Sequence, residues 1–99
     1  MLAPMIEITT FRLAPGADGE AFKVADRRVQ TRFAYRQAGL LRRTTATGSD
    51  GDWVVVSLWS DEADAEAARR RWDDDGDAGD FLSFVDRTTI QNQRFDTLD

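Results

Sequence analysis

The chain has 99 residues, 41% hydrophobic and 31% charged, which allows one core, so one domain over residues 1–99 is expected. Its formal net charge of −5 argues against nucleic-acid or anionic-membrane partners, which the surface as a whole would repel. It contains no cysteine and no histidine, which excludes disulfides, thiolate metal sites, cysteine nucleophiles and the commonest general base and axial haem ligand.

Met1-Leu2-Ala3-Pro4 shows neither a basic nor an apolar leader region, and no stretch approaches the length of a membrane span. A cytoplasmic protein is expected. Met5 to Leu13 reads as a first strand, with Ile6, Ile8 and Thr10 on one face and Thr9, Phe11 and Leu13 on the other. Ala14-Pro15-Gly16-Ala17 ends it in a turn. Asp18 can cap a helix running to about Gln37, before Gly39 stops it. Phe22, Ala25, Val29 and Phe33 form its apolar stripe; Asp26 falls inside the stripe and Gln30 on its border.

Leu40 to Thr47 is a second, more polar strand, expected near an edge. A short glycine-containing loop, Gly48 to Asp52, joins it as a hairpin to Trp53-Val54-Val55-Val56-Ser57-Leu58-Trp59. That third strand is apolar on both faces and needs a cover on each. Ser60 or Asp61 caps a second helix from Glu62 to about Trp72, with its acids first and Arg69-Arg70-Arg71 last, as the helix dipole favours. Ala65, Ala68 and Trp72 form its buried stripe. Asp73–Asp80 reads as a polar connection, Phe81–Val85 as a short apolar segment of a helical turn or two, and Thr88–Phe95 as a last strand.

The order β-α-β-β-α-β predicts an α+β, ferredoxin-like sandwich: a four-stranded antiparallel sheet with both helices on one face. The other face would be an exposed apolar surface in a monomer, which marks it for association with a second copy.

Phe11-Arg12-Leu13-Ala14-Pro15-Gly16, Gly39-Leu40-Leu41-Arg42-Arg43, Trp53 to Asp61 and Phe81–Val85 together resemble the antibiotic-biosynthesis monooxygenase family of dimeric α+β barrels. The resemblance implies a homodimer in which two sheets pack face to face into a barrel, with a pocket in each subunit between sheet and helices. Some members of the family oxidise phenolic or anthrone-like molecules with oxygen and no metal or cofactor, and others degrade haem. The haem-degrading branch's asparagine, tryptophan and histidine positions fall on Thr9, near Ala68 and near Val85, so that chemistry is not expected. The resemblance thus leaves cofactor-free oxidation of a small aromatic or polyketide-like ligand, with no metal, or non-catalytic binding of a small molecule on the same scaffold.

Among the candidate site residues, Asp26 stands out, because an ionised carboxylate in an apolar stripe must be paired or must do something. Lining a pocket, it would remove a proton from a phenolic substrate. The alternatives are a pair with an arginine such as Arg94 or Arg12, or a place at the stripe edge in water. Trp72, Phe81, Phe11 and Phe33 are expected to wall a flat ligand, with space left by Ala65 and Ala68, unless those alanines serve only close packing. Thr9 and Gln30, or Gln37, Asn92 and Tyr35, are the polar groups available to a substrate oxygen, Tyr35 lying on the wrong helix face. The aspartate run Asp73–Asp80 fails the calcium-loop pattern in both registers that its glycines allow, so a solvated loop is expected.

Overall fold

The computed structural model describes residues 4–98. Four strands, β1 (Met5–Leu13), β2 (Leu40–Thr47), β3 (Asp52–Trp59) and β4 (Val85–Asp96), form one antiparallel sheet in the order β2-β3-β1-β4. The β2–β3 hairpin and the edge position of β2 are as the sequence predicts. The helices are α1 (Gly19–Arg28), α2 (Glu62–Trp72) and α3 (Gly76–Ser83). They cover the sheet face that carries Met5, Phe11, Trp53, Val55 and Trp59. One core cluster joins Phe11 and Val85 of the sheet to Phe22, Val29 and Phe81. A second joins Met5 and Trp59 to Ala65 and Ala68, where the alanines let α2 lie close to the sheet.

Caps set most of the helix boundaries. Asp18 accepts from the backbone N–H groups of Glu20 and Ala21, Asp61 from that of Asp64, and Asp75 from that of Ala78. The last of these corrects the sequence expectation for Asp73–Asp80. Much of that stretch is the first turn and a half of α3, because Asp75 caps it and Ala78, fully buried, anchors it. The α1 helix also differs from a single helix reaching Gln37. It passes into a π-helical segment, Val29–Phe33, and a 3₁₀ turn, Ala34–Arg36. Two contacts accompany the change: Thr31 Oγ1 donates back to the Arg27 carbonyl, which bends helices, and Tyr35 is drawn onto β2.

The last strand begins at Val85 rather than Thr88, and it carries a wide irregularity. Arg12 pairs with Asp86 while Thr10 pairs with Gln91, so a two-residue step on β1 meets a five-residue step on β4. The extra residues bring Arg87 and Ile90 to the rim of the cavity described below.

On the opposite face, Ile6 lies across from Leu58 and Phe95, Ile8 from Val56, and Thr10 from Val54. Val56 is 36% and Phe95 48% exposed, and no helix of the described chain packs on this face. Among the described residues no helix is long and apolar enough to cross a membrane.

Candidate functional site

The space between sheet and helices holds a cavity of about 530 Å³, within the range of small-molecule sites. Its walls come from every layer: Phe11 and Val55 from the sheet, Val29 and Phe33 from the π-helical segment, Trp72 from α2 and Phe81 from α3. Trp72 stands edge-on to Phe33 (centroids 5.5 Å apart, planes at 78°) and to Phe81 (5.6 Å, 78°). Edge-to-face packing fixes these rings relative to one another and leaves aromatic surface facing the cavity. Ala65 and Ala68 line it too, and their small side chains leave it open on the α2 side.

The polar part of the wall follows from strand register. Ser57 lies directly across from Arg43 on β2 and from Glu7 on β1. Alternation puts all three side chains on the helix-covered face, and all three line the cavity. Glu7 Oε2 accepts from Arg94 Nε (3.1 Å) and from Asn92 Nδ2 (3.2 Å), and Asn92 also donates to Thr9 Oγ1 (2.8 Å). Arg94 bridges onward to Glu66 of α2. The hydrogen bond and the positive charge from Arg94 hold the Glu66 carboxyl below its ordinary value. Burial works to lower the Arg94 value, but the hydrogen bonds to Glu66 and Glu7 outweigh it, so Arg94 lies above its ordinary value.

Thr9, Phe11, Phe33, Trp72 and Phe81 thus come together on the cavity wall, where the sequence placed them. Asp26 and Gln30 do not. Asp26 Oδ1 accepts from Arg43 Nη2 (2.8 Å) and Thr45 Oγ1 (2.9 Å), and Gln30 Oε1 accepts from Arg43 Nη1 (3.2 Å). Neither residue lines the cavity. The expectation of a substrate base at Asp26 and a substrate anchor at Gln30 is corrected accordingly: both serve Arg43. The pairing alternative holds with a different arginine, because α1 lies over the β2 edge. Arg94, on β4 at the opposite edge of the sheet, is taken by Glu7 and Glu66, and Arg12 by Asp52. Gln37 accepts from Arg71 and donates to the Phe33 carbonyl.

Sequence reasoning missed Glu7, Ser57 and Arg43. The available signal was period-two alternation, since Glu7 shares a face with Thr9 and Phe11, and Ser57 with Trp53, Val55 and Trp59. Trp59 also lines the cavity; its Nε1 is the one buried side-chain donor with no partner among the described residues. The aspartates of the Asp73–Asp80 stretch have local work: Asp75 caps α3, Asp77 lies 3.6 Å from Arg32, and Asp73 lies 3.9 Å from Arg69. Among the described residues no cluster of three or more acidic, histidine or cysteine side chains stands ready for a metal.

No protein-family model matches the chain, and no curated protein sequence matches it. Solved structures do. SnoaB, a cofactor-independent oxygenase from Streptomyces nogalater, superposes with a TM-score of 0.81 at 17% identity, covering 98% of this chain and 95% of that one. A proposed antibiotic biosynthesis monooxygenase from Nitrosomonas europaea gives 0.76 at 15% identity, covering 99% and 93%. A further such protein from Chloroflexus aurantiacus gives 0.70 at 10% identity, covering 98% and 95%. The structural neighbours are antibiotic-biosynthesis-monooxygenase-like proteins, and this chain has their ferredoxin-like fold.

Proposed function

We propose that the chain binds a small, flat, largely apolar aromatic molecule in the cavity and oxidises it with molecular oxygen, without a cofactor. The observation that carries this reading is a cavity of about 530 Å³ walled by Phe33, Trp72 and Phe81, with the Glu7 carboxylate in its wall. The likeness to a cofactor-independent oxygenase supports it. Glu7 takes the role expected of Asp26: it removes a proton from an acidic C–H or O–H of the substrate, and the electron-rich anion reacts with oxygen. For a methylene between aromatic rings the balance is R₂CH₂ + O₂ → R₂C=O + H₂O. The substrate supplies all the electrons, one oxygen atom stays in the carbonyl and the other leaves as water.

The outer sheet face is assigned to a second copy of the chain. Ile6, Ile8, Val54, Val56, Leu58 and Phe95 make it apolar across three strands, and a self-complementary apolar face of this kind suits a twofold dimer.

A dihydroxyanthrone incubated with the protein under oxygen tests the reaction. Turnover is expected in the wild type, with a loss of about a hundredfold or more in Glu7→Gln, the usual scale for a positioned base. Equal turnover removes Glu7 from the mechanism. Binding without any turnover selects the second reading, a non-catalytic binding protein. That reading is favoured by one observation: Glu7 Oε2 is already engaged by Arg94 and Asn92.

A further inference from the structure

Three arginines line the cavity, Arg43, Arg69 and Arg87, against two carboxylates, Glu7 and Asp73. Each carboxylate has an arginine beside it: Arg94 at Glu7 and Arg69 at Asp73. Arg43 is paired in its turn with Asp26, and Glu66 shares Arg94, so charge around the wall is close to balanced in a chain whose net charge is −5, and the distinguishing property is which arginine has donors to spare. Arg43 differs from the other two in burial. Its side chain is 6% exposed, whereas that of Arg69 is 61% exposed and in water. Arg87 is exposed at the rim.

A guanidinium has five N–H donors and keeps its charge under all ordinary conditions. In Arg43, Nη2 donates to Asp26 and Nη1 to Gln30. The remaining N–H bonds meet no protein acceptor among the described residues. Asp26 and Gln30 stand off the cavity wall while Arg43 lies on it, so the pair holds the guanidinium from behind and fixes its plane. The backbone is fixed as well, because Tyr35 Oη accepts from the Arg43 N–H (2.9 Å) and donates to its carbonyl (3.2 Å). Ser57, 7% exposed and directly across the ladder, adds a hydroxyl on the same wall. A buried cation braced from one side, with donors left over, is an anion site on its other side.

We infer that Arg43, with Ser57 beside it, anchors an anionic oxygen of the ligand, so that the cavity selects aromatic molecules bearing a phenolate, enolate or carboxylate. Asp26 and Gln30 are positioning residues for Arg43. The inference rests on the cavity being the aromatic-binding site proposed above. It adds that the oxygen is held on the opposite side of Ser57 from Glu7, so a proton lost to Glu7 leaves a charge facing Arg43.

Two probes of one shape separate charge from fit: 2-naphthoate and its neutral isostere 2-naphthamide, titrated by calorimetry. Wild-type protein is expected to bind the carboxylate roughly tenfold or more tightly than the amide, the scale of a charge-assisted hydrogen bond. Arg43→Gln alone leaves Asp26 unpaired and risks unfolding, so it is combined with Asp26→Asn, an amide pair of similar shape. The double variant should lose the preference, binding carboxylate and amide alike. Asp26→Asn alone leaves the guanidinium uncompensated and should widen the preference, an effect that a purely structural ion pair does not produce.

Equal binding of both probes by wild type overturns the anchor and leaves the aromatic cavity standing. A preference that survives in the double variant but vanishes in Arg87→Gln moves it to the rim and overturns the assignment. If neither probe binds, the cavity reading fails, and the anchor with it.

Discussion

Substituting Ala68→Leu tests whether the space under α2 is a binding cavity or merely a close-packed seam. Ala68 is 4% exposed, lines the cavity and faces the cluster of Met5, Leu40 and Trp59. Leucine adds three carbon groups. At about 0.8 kcal/mol per buried CH₂ their transfer is worth about 2.4 kcal/mol. Ordering the leucine side chain takes back about 0.5–1 kcal/mol, and a compact unfolded chain discounts the remainder. A net gain of about 1 kcal/mol follows, or roughly 4–8 °C in Tm for a domain of this size. A close-packed interior predicts the opposite sign, a loss of about 1–3 kcal/mol from overpacking. Thermal and urea unfolding followed by far-UV circular dichroism read the sign directly, and 2-naphthamide affinity should fall in the same variant. A lower unfolding midpoint would refute the reasoning, because it would mean that the cavity has no room for the added atoms.

Tyr35→Phe should destabilise by about 1 kcal/mol, since the Arg43 N–H and C=O on the β2 edge lose their shared hydroxyl and regain only water; an unchanged urea midpoint would deny that brace. Arg94→Gln should matter at neutral pH and fade in acid. Arg94 holds the Glu66 carboxyl below its ordinary 4.5, so the stability this gives is present above pH 4.5 and is lost as the pH falls through the depressed folded value. The gap in urea midpoint between wild type and variant should therefore narrow on going from pH 7 to below 4.5; a gap that widens contradicts the assignment. Sedimentation of the wild type at micromolar concentration should give twice the 11.1 kDa of the chain, and Val56→Asp, which places a charge on the outer face, should give 11.1 kDa. A wild type that sediments as a monomer removes the dimer.

Local patterns in the sequence carried the architecture because each rests on a short-range cause. Alternation along Met5–Leu13 and Trp53–Trp59, the glycine-containing hairpin loop, and capping aspartates at Asp18 and Asp61 need only neighbours a few residues away. The aromatic wall of Phe11, Phe33, Trp72 and Phe81 was legible for the same reason, since four large apolar side chains on inward faces of a small domain must converge. Asp26 shows the limit. Its place in an apolar stripe said correctly that it needs a partner, but the partner is Arg43, 17 residues away on the next strand. Only the docking of α1 over the β2 edge decided that, and with it which carboxylate reaches the cavity. Glu7, Ser57 and Arg43 sit on three different strands, and register, a tertiary property, makes them one row. The start of α3 after Asp75 goes with the burial of Ala78 against the core, and the π-helical segment from Val29 is accompanied by the docking of Tyr35 on β2; burial and docking, unlike the local spacing of these residues, are tertiary.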